Sequence, residues 1–153
     1  VSPDNIDILT IDIDSYDYYC VKELLKHEYK PRLFIVEYNP NLPIDEALSY
    51  PNQINPVQLP NNRKAYGASY LAISNLMEGF GYELVHISGF CNLFYIRNEY
   101  SGIFSIPDIK KERLVSRKEI FEFINLYCKK DFVPSWLYEP QLNEEELRFF
   151  DRV

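Results

Sequence analysis

Acidic and amide side chains follow two segments of this chain that are predicted to be β-strands. Asp12 and Asp14 end the first strand, and Glu37 and Asn39 follow the second. Because ligands in open α/β sheets bind beyond the carboxyl ends of the strands, these oxygens are expected to converge at one edge of the sheet. There Asp12 or Asp14 could serve as a catalytic base toward a hydroxyl group. The oxygens of Asp14, Glu37 and Asn39 would also suit Mg²⁺ or Mn²⁺, and Glu37 and Asn39 could contact a substrate.

Other interpretations of the first acidic segment stay open. Asp14 or Ser15 could cap the helix that follows, and Asp14 and Asp17 could interact favourably with its dipole. An Asp-x-Asp sequence also occurs in haloacid-dehalogenase-like phosphatases and in metal-dependent glycosyltransferases. The phosphatase interpretation is weakened because Tyr16 stands where those enzymes have Thr or Val. The glycosyltransferase interpretation has only the Asp-x-Asp itself in its favour.

Two basic residues are further candidates for substrate binding. His86 lies late in a predicted strand near the same edge, where it could contact a substrate or form a structural hydrogen bond. Arg63 lies near the end of the long segment from Asn41 to Tyr66, where it could bind an acidic acceptor or be solvated. This segment is rich in Pro and Asn and poor in apolar residues. We therefore expect it to be a mobile surface loop that covers the acidic strand ends as a lid.

Hydrophobic patterns predict an α/β fold. A strand over Ile6 to Ile13, an amphipathic helix and an apolar strand over Leu33 to Val36 indicate a parallel βαβ unit. A second helix is predicted over Ser69 to Glu78. The strands predicted over Tyr82 to Ser88 and Asn92 to Arg97 are joined by so short a turn that they must be antiparallel neighbours.

The tail of the chain is predicted to be helical. Ser116 and Glu119 form a capping box that starts one helix, and a shorter helix is predicted to start at Asn143. We therefore divide the chain into a domain over residues 1–99 and a helical extension over residues 100–153 that packs on it. The apolar tail residues around Phe121 and Phe149 could instead dock on a partner protein.

Composition excludes several classes of protein. The 153 residues carry a net charge of -7, which argues against binding to nucleic acid. No apolar run approaches the roughly 20 residues that span a bilayer, so we expect a soluble, cytoplasmic protein without a membrane contact. The three cysteines, Cys20, Cys91 and Cys128, are widely spaced and are expected to be reduced, buried thiols. Because the chain begins with Val1 close to a strand, we expect a further segment upstream.

Three blocks of sequence together resemble a known family. The runs LTIDIDSYDYYCVKELL, PRLFIVEYNPNLP and YGASYLAISNLMEGFGYELVHISGFCNLFYIRNE look like the carboxyl-terminal half of a class I, FkbM-like S-adenosylmethionine-dependent methyltransferase. The resemblance extends from Asp7 to Glu99. It implies a partial Rossmann-like sheet, mostly parallel and with its last strand antiparallel. It also implies that Asp12 and Asp14 lie near the transferred methyl group and the acceptor.

The resemblance implies a function for the chain as the acceptor-side half of an enzyme. The expected reaction is methyl transfer from S-adenosylmethionine, most simply to a hydroxyl of a small molecule or glycan, with Mg²⁺ as a further candidate cofactor. Glu37 and Asn39 match a strand end where some metal-dependent O-methyltransferases place acid and amide ligands. The residues that hold S-adenosylmethionine in this family belong to its amino-terminal half. The alternative is a non-catalytic, methyltransferase-like binding or interaction module.

Overall fold

The computed structural model describes residues 6–53, 57, 59, 65–88, 91–105 and 142–153. These residues form an α/β fold with a mixed sheet. The elements, in chain order, are β1 (Ile8–Ile11), α1 (Asp17–Lys26), β2 (Leu33–Glu37), β3 (Leu48–Ser49), α2 (Tyr70–Gly79), β4 (Tyr82–Ser88), β5 (Asn92–Arg97), α3 (Asn98–Ser101), α4 (Glu144–Leu147) and β6 (Asp151–Arg152). None of the helices among them is long and apolar enough to cross a bilayer.

The main sheet has four strands in the order β1-β2-β5-β4. Strand β1 pairs with β2 in parallel, as the predicted βαβ unit requires. Strand β5 is antiparallel to both of its neighbours, β2 and β4, so β4 runs in the same direction as β2. The carboxyl ends of β1, β2 and β4 therefore lie at one edge of the sheet. We call this edge the carboxyl edge.

The main hydrophobic core lies on one face of this sheet, beneath α1 and α2. Alternate residues of the strands point into it, because side chains along a strand alternate between the two faces. The strand residues buried there include Phe34, Val36, Tyr82, Leu84, Leu93 and Tyr95. They pack against Val21 and Leu25 of α1 and against Ala72, Ile73 and Met77 of α2. The core thus fixes which face of β2 is buried and leaves the opposite face for Glu37.

Local sequence signals account for most of these boundaries. The predicted antiparallel hairpin is confirmed, with strands over the same residues, Tyr82–Ser88 and Asn92–Arg97. Helix α2 begins after Ser69, whose side chain accepts a hydrogen bond from the backbone N–H of Ala72 at 3.2 Å. It ends before Gly81, which has a φ of +82°. Since glycine lacks a Cβ atom, it adopts this left-handed conformation at little cost.

The expectation of a loose surface loop after Asn41 is wrong for its described residues. A second hydrophobic cluster forms there, made of Leu42, Leu48, Tyr50, Leu59, Ala65 and Phe150. Phe150 comes from the tail, about a hundred residues further along the chain. The loop could not be recognised as packed from its own composition, because part of the apolar surface that covers it lies in the tail.

The described part of the tail, residues 142–153, lies against this loop. Helix α4 begins after Asn143 as predicted, with a capping box in which Asn143 and Glu146 exchange side-chain-to-backbone hydrogen bonds. Strand β6 then pairs antiparallel with β3. The helix predicted after Ser116, as well as Phe121 and Cys128, lies outside the described residues.

We expect Phe150 to be needed for stability. Its side chain is only 6% exposed, and replacing a buried Phe with Ala typically costs about 3–5 kcal/mol, through lost burial and the cavity left behind. The variant Phe150→Ala should therefore lower the free energy of unfolding, measured by urea denaturation, by about 3 kcal/mol. Its neighbour Phe149 is 41% exposed and provides a matched control, since Phe149→Ala should cost less than about 1 kcal/mol. Equal losses for the two variants would contradict this packing of the tail.

Candidate active site

Three carboxylates meet at the carboxyl edge of the sheet. In the parallel pairing of β1 with β2, Ile11 lies opposite Val36, so that Asp12 and Glu37 follow one step later at the same level. Asp14 lies two residues further on. The three residues each offer a carboxylate oxygen, and these oxygens all lie within 4.8 Å of one another. Among the described residues, no other cluster of acidic, His or Cys ligands has this geometry.

The turn that carries two of these acids is held by a fourth. Asp17 is fully buried, and its carboxylate accepts hydrogen bonds from the backbone N–H groups of Ile13 at 2.8 Å and Ser15 at 3.0 Å. Between them, Asp14 adopts a φ of +62°, a left-handed conformation that Asp tolerates better than most residues. We call residues 12–17 the acidic turn. Asp17 therefore fixes the backbone on which Asp12 and Asp14 are presented.

The predicted helix cap by Asp14 or Ser15 is wrong. Helix α1 begins after Tyr16, and no side chain there accepts a hydrogen bond from the first turn. Asp17 is the first residue of the helix, and it reaches backward to the turn instead of forward into the helix. Since both arrangements satisfy the same kind of backbone N–H group, local sequence does not distinguish them.

The environment of Glu37 favours its protonated form. Burial, followed by the negative charges of Asp12, Asp17 and Asp14, raises its pKa from 4.5 to about 8. Its Oε2 atom is enclosed and has no hydrogen-bond partner in the described structure. Asp12 and Asp14, by contrast, are exposed. The site thus combines one carboxyl group that holds a proton near neutral pH with two carboxylates that solvent or a ligand can reach.

The negative potential of this cluster also acts on Cys91. This residue precedes β5, and its backbone C=O accepts a hydrogen bond from the N–H of Tyr38 at 2.7 Å. Burial, followed by the charges of Glu37 and Asp12, raises the pKa of its thiol to about 12. Because the thiolate is the nucleophilic form, Cys91 is unsuited to nucleophilic catalysis. Cys20 and Cys91 are both free, as expected, but they are half-buried and not buried.

Asn39 lies outside the carboxylate cluster. It is 1% exposed, and its Nδ2 atom donates to the C=O of Tyr66 at 2.9 Å while its Oδ1 atom accepts from the N–H of Asn41 at 2.9 Å. Gly67 passes so close that a Cβ atom built there would lie 3.5 Å from the Cβ of Asn39. The Asn39 amide therefore holds the two ends of the loop together, with its oxygen already engaged.

Of the two basic candidates, only His86 lies within the described residues, and it is not part of the cluster. His86 is exposed near the carboxyl edge, and its ring packs edge-to-face on Phe94 at 5.2 Å between centroids. Strand β5 lies between β4, which carries His86, and β2, which carries Glu37. At a strand spacing near 4.8 Å, β4 and β2 are therefore roughly 10 Å apart. Arg63 lies outside the described residues.

An open groove of about 800 Å³ runs along α1 beside the acidic turn. Its lining is mainly apolar and includes Ile13 and Tyr16 of the acidic turn, but none of the three clustered acids. The lining residues are Ile13, Tyr16, Tyr19, Cys20, Glu23, Leu24, His27 and Tyr29. Ligand sites typically enclose about 300–1,000 Å³ and combine apolar walls with a few polar groups, so the groove has suitable dimensions for the apolar part of a ligand.

Comparisons with known proteins add no family to this description. The chain matches no family of proteins, no curated protein and no solved structure.

The raised pKa of Glu37 predicts how stability depends on pH. Between pH 4.5 and about 8 the folded protein keeps a proton on Glu37 that the unfolded chain releases, so the free energy of unfolding should fall as pH rises through this range. The variant Glu37→Gln cannot ionise. At about pH 9 its free energy of unfolding should be higher than that of the wild type. This free energy should also fall less steeply as the pH rises from about 5.

Urea denaturation at a series of pH values measures this effect. Glu83→Gln is the matched control, because Glu83 is a half-buried glutamate on β4, away from the cluster. Burial also raises the pKa of Asp17, so a smaller decline of the same sign should persist in Glu37→Gln. If Glu37→Gln and the wild type show the same dependence on pH, the carboxylate environment described here is wrong.

Proposed function

We propose that this chain is the acceptor-side part of an S-adenosylmethionine-dependent methyltransferase that acts on a hydroxyl group of a small molecule or glycan. The observation that carries the proposal is the cluster of Asp12, Asp14 and Glu37 beyond two adjacent parallel strands. This is the position where ligands bind in open α/β sheets. An antiparallel β5 is also consistent with the Rossmann-like sheet that the family resemblance implies.

The residues of the chain would position the acceptor and receive its proton. S-adenosylmethionine would supply an electrophilic methyl group when bound. The acceptor hydroxyl would hydrogen bond to Asp12 or Asp14, which are exposed, and its carbon skeleton would lie in the groove along α1. A carboxylate in this position can align the hydroxyl oxygen for attack and accept its proton. Glu37 would keep its own proton near neutral pH and so limit the repulsion between the acids.

Replacing Asp12 or Asp14 with Asn should therefore slow methyl transfer. Loss of a general base typically lowers kcat by about 10² to 10⁴, while the affinity for S-adenosylmethionine should stay unchanged. Transfer of labelled methyl groups to a panel of hydroxyl acceptors, by the protein expressed from its complete coding sequence, measures this effect. Calorimetry measures the binding of S-adenosylmethionine.

The control for these variants is Asp7→Asn. Asp7 precedes β1 at the opposite end of the strand, where it forms an exposed ion pair with Arg32 at 2.7 Å. Its replacement should leave kcat unchanged, because Asp7 lies at the other end of β1 from the clustered acids. The variant should also stay folded, since exposed ion pairs contribute little to stability. A wild-type protein that folds but does not bind S-adenosylmethionine would rule out the proposed reaction.

The same carboxylates fit a divalent cation, which we include as a candidate cofactor. Mg²⁺ holds oxygen ligands at about 2.0–2.1 Å, so that two ligands of one ion lie at most about 4.2 Å apart. At most one pair among three octahedral ligands can be trans, and cis ligands lie about 2.9 Å apart, so the oxygens, which lie within 4.8 Å of one another, would move closer together to bind the ion. The enclosed Oε2 atom of Glu37, which has no hydrogen-bond partner in the described structure, would become a ligand of the ion. Asp12, Asp14 and Glu37 would hold the ion, whereas Asn39 would stay engaged in the loop.

We expect Mn²⁺, used as a paramagnetic probe, to bind more tightly as pH rises through about 8, because the ion must displace the proton of Glu37. Glu37→Gln should weaken binding by at least about tenfold, since it removes a charged ligand. Electron paramagnetic resonance of free Mn²⁺ measures the affinity, with Glu83→Gln as the control. Wild-type affinity in Glu37→Gln, or methyl transfer that is insensitive to chelators, would exclude the metal.

The second candidate function is a non-catalytic interaction module. It is favoured by apolar side chains left in solvent after α3, where Ile103 is 86% exposed and Phe104 is 45% exposed. Phe149 of the tail is also 41% exposed. Exposed apolar side chains mark contacts with partner proteins where they form a contiguous patch. The binding of S-adenosylmethionine distinguishes the two functions, because a module of this type has no need for the cofactor.

A further inference from the structure

The tail returns to the loop that follows β2 and is attached to it along its length. The N–H of Leu142 donates to the C=O of Asn41 at 3.2 Å, and the N–H of Val153 donates to the C=O of Ala47 at 3.1 Å. Between these points β6 pairs with β3, with Arg152 opposite Leu48. The buried ring of Phe150 supports the same contact from the second cluster. We call residues 142–153 the strap.

The strap also reaches α1 through one carboxylate. The Oδ2 atom of Asp151 accepts hydrogen bonds from the hydroxyl of Tyr19 at 3.1 Å and from the backbone N–H of Asn52 at 3.0 Å. Burial, followed by the contact with Asp151, raises the pKa of Tyr19 to about 12, so this hydroxyl remains a donor at neutral pH. A single side chain thus connects the helix, the loop and the strap.

The loop held by the strap in turn holds the acidic turn. Tyr16 of that turn donates its hydroxyl to the C=O of Gln53. Its ring packs edge-to-face on the ring of Tyr50 at 5.1 Å between centroids. Gln53 follows Asn52 directly, so Tyr16 contacts the segment that Asp151 anchors. Tyr16 and Tyr19 both line the groove along α1.

We propose that the strap is a positioning element for the acceptor site, in which Asp151 holds Tyr19 and the loop that orients Tyr16 and the acidic turn. This inference rests on the proposed function, because the acceptor is the molecule that the groove would bind. Asp151 does not touch the acceptor or the reacting atoms and acts through the two tyrosines. If the groove walls are ordered before the acceptor binds, less of the binding free energy is lost in ordering them.

The test is a double-mutant cycle with Asp151→Ala and Tyr19→Phe. Each variant removes one partner of the same hydrogen bond and leaves the aromatic wall of the groove in place. We expect each to raise the KM of the acceptor by about threefold to tenfold, as loss of an ordinary, solvent-exposed hydrogen bond would, with little change in kcat. Because both variants remove the hydrogen bond between Tyr19 and Asp151, the double variant should be no worse than Asp151→Ala, which also removes the hydrogen bond to Asn52.

A second measurement does not depend on catalysis. In protein labelled with fluorotyrosine, Asp151→Ala should shift the ¹⁹F signals of both Tyr16 and Tyr19, each assigned by its Tyr→Phe variant. Glu145→Ala is the control, since this exposed glutamate lies on α4 of the same strap. It should change neither the spectrum nor the KM.

The outcomes separate the two proposals. If the ¹⁹F signals shift but the wild-type protein transfers no methyl group, the proposed function fails and the positioning by the strap stands as a structural fact. Unchanged signals in Asp151→Ala would overturn the role of the strap, whether or not the protein is active. Shifted signals with an unchanged acceptor KM, or single-variant effects that simply add, would also overturn it.

Discussion

The parallel pairing of β1 with β2 is the interaction on which the candidate site depends. It places Ile11 opposite Val36 and so brings Asp12 to the level of Glu37 at the carboxyl edge. Side chains alternate along a strand, and a shift of one residue would turn Glu37 toward the hydrophobic core. The core prevents that shift, because it buries Phe34 and Val36 of β2 beneath the helices.

The cluster of acids destabilises the fold, whereas the hydrophobic core stabilises it. Three acids lie close together, and burial adds to their mutual repulsion at Glu37. Two features reduce the cost: Glu37 retains a proton near neutral pH, and the fully buried Asp17 receives backbone hydrogen bonds from the turn. A cluster held against repulsion in this way is typical of sites with a function, although structural networks can also shift pKa values. Binding a hydroxyl group or a cation would relieve the same repulsion.

Contacts between distant parts of the chain hold the surroundings of this site in place. The loop after β2 packs on Phe150 of the strap, and Asp151 connects that loop to Tyr19. Asn39 binds the two ends of the loop to each other. These contacts position the neighbours of the three acids. The local sequence of the loop does not predict these contacts.

The sequence alone predicted the larger strands and helices and the edge at which the acids gather, but not the short elements β3, α3 and β6. Alternating residues and a short turn predicted β4 and β5 with the bounds observed, and Ser69 and Asn143 marked the starts of their helices, because these signals act over a few neighbouring residues. The same local logic placed Asp12, Asp14 and Glu37 at one edge of the sheet.

Only the tertiary structure decided how the polar residues are used. It turned Asp17 toward the acidic turn, engaged Asn39 in the loop, inserted β5 between His86 and Glu37 and brought Phe150 onto the loop. Each outcome depends on residues that are brought together by strand order or by packing between distant segments. Local sequence does not encode such contacts, because the partner of each group depends on which distant residues the folded chain brings next to it.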